Sequence, residues 1–201
     1  MHRRTLLTGG SALLLAGCSN SWEVAYDKGV ALSTSRNWNV TNVTVTVPSD
    51  LTVSNNNTFA PNADIVWHGE PYGNRRAQVQ AIMDEGISRG ASALKGDVPV
   101  SLGVVLLHFH AVTPAAVARA PGAVHNIRFA IQVFDNETGT PLTEAETINA
   151  DLEAYVGAAA VTAALEGNTQ RVRIVNHLAR VTRGWLGAGP DQRRRFSGVG
   201  R

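Results

Sequence analysis

An α+β domain, with a mainly antiparallel sheet of about four to five strands and two long helices packed on one face, is what three features of the sequence predict. Several stretches alternate apolar and polar residues, as in Val43, Val45 and Val47 set against Thr44 and Thr46. Two longer stretches repeat apolar residues every three or four positions, the helical spacing. Their order along the chain is strand, helix, three strands, helix.

Trp38 to Val47 is the first strand, ended by Pro48-Ser49-Asp50. Ser54-Asn55-Asn56-Asn57 has turn composition, and Ala63 to His68 is a short strand. From about Asn74 to Leu94, Val79, Ile82, Met83, Gly86, Ile87, Gly90, Ala91 and Leu94 fall on one face of a helix. Gly86 and Gly90 each weaken a helix by about 1 kcal/mol relative to alanine, which implies close approach of that face to a sheet. Three strands follow, at Val98 to Val112, Val124 to Phe134 and Leu142 to Leu152, the last two joined by the turn Asp135-Asn136-Glu137-Thr138-Gly139. Pro114 to Gly122 is a longer connection, and alanine-rich Gly157 to Gly167 suits a short helix. Asn168 can cap the second long helix, whose stripe is Ile174, Val175, Leu178, Val181, Thr182, Trp185 and Leu186. Gly187-Ala188-Gly189-Pro190 stops it. The expected division is a signal peptide at 1–17, a lipidated N-terminus and tether at 18–37, one α+β domain at 38–186 and a flexible basic tail at 187–201.

The N-terminus carries the most specific signal. Arg3 and Arg4 precede an apolar run from Thr5 to Leu15, then Leu15-Ala16-Gly17-Cys18. A charged head, a short apolar middle and a small-residue cut site make a secretion signal. The run is far shorter than the roughly 20 residues a spanning helix needs. Leu15-Ala16-Gly17-Cys18 resembles the lipobox of bacterial lipoproteins, and the resemblance implies lipidation of Cys18 as the first mature residue. Two or more acyl chains hold a protein stably at a membrane. Arg3-Arg4-Thr5-Leu6-Leu7 resembles a twin-arginine export signal, which would imply passage of a folded chain, with the general secretion route a near second. By the same kind of resemblance, Ser19 in place of aspartate favours the outer over the inner membrane, with the domain in the periplasm.

The net charge is +2, and loss of Arg3 and Arg4 leaves 16 basic against 16 acidic residues. Near-neutrality argues against a nucleic-acid binder. Cys18 is the only cysteine, so no disulfide can form within the chain and burial alone must stabilise it. Charge is nevertheless segregated. Asp135 to Glu166 holds seven acids and no Lys or Arg, whereas Arg171 to Arg201 holds eight arginines and one acid, Asp191. An acidic strand beside a basic helix accounts for this; a basic end facing anionic lipid headgroups is the sharper alternative.

Candidate chemistry is sparse. His108 and His110 lie on one side of a strand and could begin a metal site with His68 or His125 as third ligand. That side is expected to carry Val100, Leu102, Val104 and Leu106 too, which favours structural histidines. Asp84-Glu85 flanks the helical stripe and reads as a solvated face. Glu144 and Glu146 share a strand face and can pair with Arg128. No nucleophile elbow, phosphate loop, zinc-protease motif or dinucleotide fingerprint is present, so no cofactor, metal or small-molecule ligand is indicated.

Asp64-Ile65-Val66-Trp67, Gln78-Val79, Phe109-His110-Ala111-Val112-Thr113, Gly122-Ala123-Val124-His125 and Asp135 with Thr138-Gly139 resemble a family of uncharacterised bacterial lipoproteins, a domain of unknown function. The resemblance implies an envelope location and a shared fold, and assigns no active site. The expected role is a non-enzymatic envelope lipoprotein, a partner-binding or assembly module held at a membrane through Cys18. The alternative is a periplasmic hydrolase or metal-dependent enzyme using His108, His110 and nearby carboxylates.

Overall fold

The structure, a computed structural model, describes residues 21–197. The signal segment and Cys18 lie outside the described residues. Two 13-residue strands form the centre, β5 (Val98–His110) and β6 (Ala123–Asp135), paired antiparallel. Val100, Leu102, Val104 and Leu106 of β5 and Ile127, Phe129, Ile131 and Val133 of β6 are all buried, giving the sheet one apolar face. The helices α2 (Arg75–Ala91) and α5 (Gln170–Trp185) cover that face, each burying its predicted stripe. The Asn74 side chain caps α2 by accepting from Ala77 N–H. Thr169, not Asn168, caps α5, accepting from Val172 N–H.

The sheet is larger than expected and mixed. Among the described residues it has nine strands, ordered β3 (Val53–Ser54), β4 (Ile65–Val66), β5, β6, β7 (Glu146–Ala150), β1 (Ser21–Ala25), β9 (Arg194–Ser197), with β2 (Trp38–Thr46) on β5 and β8 (Leu152–Ala154) on β6. Strands β2 and β4 run parallel to β5, whereas the pairs involving β6, β7, β1 and β9 are antiparallel. The parallel pairing has a plain cause, because α2 lies between β2 and β5 in the chain and serves as the crossover a parallel pair requires. The expected strand at 142–152 divides at Asp151, whose carboxylate accepts from Glu23 N–H and the Asn126 side chain.

Both ends of the chain differ from expectation. Ser21–Ala25, expected in the tether, forms β1 between β7 and β9, with Val24 buried, and Leu32–Ser35 of the same segment forms the one-turn helix α1. Arg194–Ser197, expected in a flexible tail, is the edge strand β9. Tyr26 ties the two together: its hydroxyl donates to Asp191 at 2.7 Å, and the Arg193 guanidinium lies over its ring.

Gly86 and Gly90 do mark a close approach, but to α5 and not to the sheet. A Cβ on Gly90 would sit 2.5 Å from the Ala179 carbonyl oxygen, and one on Gly86 would sit 2.7 Å from Leu178 Cβ. The segregated charges also find different partners. Arg173 reaches Glu153 only through its backbone carbonyl, while Arg171 pairs with Glu70 and Glu85, Arg195 with Glu23 and Arg193 with Asp191.

Candidate functional site

The histidines that sequence pattern singled out lie elsewhere than the pattern implies. Register between β5 and β6 shifts at Leu107: Leu106 faces Phe129, yet His108 faces Arg128 and His110 faces Asn126. The extra residue of this bulge inverts the alternation, so His108 and His110 leave the side that carries Val100 to Leu106. They turn to the sheet face away from the helices, their rings 5.8 Å apart.

There they line a groove of about 390 Å³ between the sheet and α3 (Pro114–Arg119). Trp22 and Phe59 form its aromatic margin, and Ala116, Ala120 and Val124 part of its apolar wall. The 57–60 loop is fastened to α3, since Thr113 Oγ1 donates to Thr58 O and Ala115 N–H donates to the Asn57 side chain. Partial burial pushes both imidazoles below the usual histidine range. For His108, Arg128 adds to that while Asp64 opposes it; for His110, the second imidazole adds to it. Both are therefore neutral at neutral pH.

Asp64 Oδ1 lies 3.9 Å from His108 Nδ1, but its other oxygen accepts from Thr52 N–H and Thr52 Oγ1 at 2.8 and 2.6 Å. These bonds hold its carboxyl below the ordinary value, which makes it a poor base. The proposed third ligands do not join. His125 is fully buried on the helix side, taking a hydrogen bond from Val112 N–H on Nδ1, and His68 follows β4. Among the described residues no three His, Cys, Asp or Glu side chains converge as a metal site would need. The groove offers two neutral hydrogen-bonding rings in apolar surroundings.

One member of each acidic pair has structural work. Glu85 bonds Arg89 and Arg171. Glu146 does not meet Arg128, which faces Asn149; its carboxylate accepts from Trp185 Nε1, Lys28 N–H and Gly29 N–H at 2.8, 2.7 and 3.2 Å. Partial burial pushes that carboxyl up, and the three donors outweigh it and hold it below the ordinary value. Sequence reasoning missed Trp22 and Phe59, whose place in the groove depends on contacts distant in sequence and has no local signature.

No described helix is long and apolar enough to cross a membrane. The family described as a family of unknown function (DUF6778) matches residues 38–201. No curated protein matches the sequence. Solved structures similar to this chain include a candidate lipoprotein of Caulobacter crescentus CB15, 14% identical, covering 54% of this chain and 80% of that one with a TM-score of 0.34. The PelC dodecamer of Paraburkholderia phytofirmans is 10% identical, covering 85% of this chain and 98% of that one with a TM-score of 0.37. A minor lipoprotein of Acinetobacter baumannii is 10% identical, covering 77% of this chain and 97% of that one with a TM-score of 0.31.

Proposed function

This chain belongs to the DUF6778 family of unknown function, and from that premise we propose that it is a lipid-anchored accessory protein of the cell envelope, one that binds a partner or helps assemble a larger structure. The observation that carries the proposal is Cys18, set in Leu15-Ala16-Gly17-Cys18 directly after an apolar export segment. The lipid on that thiol replaces a membrane span, and Ser19 beside it favours the outer membrane, with the domain in the periplasm. An accessory role suits a groove that is apolar and carries neutral imidazoles beside a carboxylate already engaged by Thr52.

Cross-linking in intact cells, followed by purification of the full lipoprotein from detergent-solubilised envelopes, tests the partner-binding part. The expected result is one reproducible cross-linked species. Repeated recovery of the uncross-linked chain alone would remove it.

A further inference from the structure

We propose that the end of the domain formed by Trp22, Phe59, α3 and the outer face of α4 (Gly157–Leu165) lies on the lipid surface itself, with Val161 and Leu165 inserted at the boundary of headgroups and acyl chains. The inference rests on the lipidation of Cys18 proposed above.

Chain length is the first argument. Strand β1 begins at Ser21, three residues after Cys18, and three residues span at most about 11 Å when fully extended. The headgroup layer of one leaflet takes up roughly half of that reach. A domain of this size has a radius of gyration of about 16 Å. It cannot float clear of the bilayer on so short a link, so whatever surface surrounds the start of β1 is pressed against lipid.

That surface has an apolar stretch, bordered on the β9 side by the Arg195–Glu23 pair. Trp22, the second residue of β1, lines the groove together with Phe59, Ala116 and Ala120. Across α3, a second cleft of about 310 Å³ is lined by Val117 of α3 and by Ala160, Val161 and Ala164 of α4. Val161 and Leu165 are one helical turn apart and thus on one side of α4. They are 60% and 84% exposed, and Phe59 is 53% exposed. Large apolar side chains so exposed mark contact surfaces, and aromatic residues such as Trp22 favour the membrane–water boundary.

The test uses the full-length lipoprotein in vesicles of phosphatidylethanolamine and phosphatidylglycerol. Cys18 is the only natural cysteine, so Leu165→Cys supplies a single free thiol for an environment-sensitive fluorophore once Cys18 is acylated. Thr138→Cys is the control, because Thr138 is exposed beyond the far end of the 13-residue strand β6, roughly 40 Å away. Expected is a blue-shifted label at 165 that brominated lipid quenches several-fold more than the label at 138. A label at 165 as water-exposed as that at 138, on acylated protein, would overturn the inference and leave the anchor standing. Shielding from iodide without quenching by brominated lipid would mean that a protein covers α4, and would overturn it too. Absence of acyl chains on Cys18 would overturn both readings.

Discussion

Moving from about pH 7.5 to about pH 5 is expected to remove roughly 3–4 kcal/mol of folding stability, most of it through two histidines that water does not reach. His125 and His177 are 0% and 2% exposed, and in neither does Nε2 have a hydrogen-bond partner. Burial, reinforced by Arg173 and by His177, depresses His125 to about 3. Burial, reinforced by Arg180 and Arg194, depresses His177 to about 4. Both are neutral in the folded protein, while in the unfolded chain they take a proton near the ordinary value of 6.5. Between those limits the unfolded state binds the extra protons, so stability is full above about 6.5 and falls as acid is added. At about pH 5 each histidine contributes a loss of about 2 kcal/mol. Asp151, raised chiefly by its burial, offsets a small part by binding its proton earlier in the folded state. Urea denaturation at the two pH values measures the loss, and His177→Leu should reduce it by about half. Equal stability at both pH values would show that these rings find partners or water.

Gly90→Ala should destabilise the protein by about 2–4 kcal/mol, against the usual gain of about 1 kcal/mol for replacing a glycine inside a helix. The reversal comes from the α2–α5 contact. The new methyl would meet a backbone oxygen, Ala179 O, at 2.5 Å and Thr182 Cβ at 2.7 Å, and a carbonyl cannot rotate away as a side chain end can. Gly86→Ala is expected to cost somewhat less, since its new methyl would meet Leu178 Cβ at 2.7 Å and the Val175 carbonyl oxygen only at 3.1 Å. Combining the two should cost less than the sum, because once the helices separate at one point the second methyl finds room. Thermal denaturation decides it. A Gly90→Ala variant as stable as the natural protein would mean that α2 and α5 lie further apart than a 2.5 Å approach to Ala179 O allows.

The central strands and both long helices were legible because their burial patterns are local: β5 alternates from Val100 to Leu106 and β6 from His125 to Val133, and α2 and α5 keep their stripes over four turns. Strands β1 and β9 were not. Ser21–Ala25 is five residues whose partners are Asn149, Ala150 and 194–197, more than 120 positions away, and no neighbouring residue announces such pairing. Parallel pairing of β2 with β5 was equally hidden, since alternation sets which face is buried and says nothing of direction. For the candidate site, the residues His108 and His110 were found but their face was wrong. One unpaired residue, Leu107, moved them from the core side to the groove, and a bulge within an apolar run carries no compositional mark.

The proposed envelope location and membrane-facing groove both require that the mature chain start at an acylated Cys18. Mass spectrometry of the N-terminal peptide from protein purified out of its native membrane tests this directly. The expected peptide begins at Cys18 and carries a thioether-linked diacylglyceryl group, with Cys18→Ser abolishing both the cleavage and the lipid. A peptide that extends upstream of Cys18 with an unmodified thiol would contradict the account.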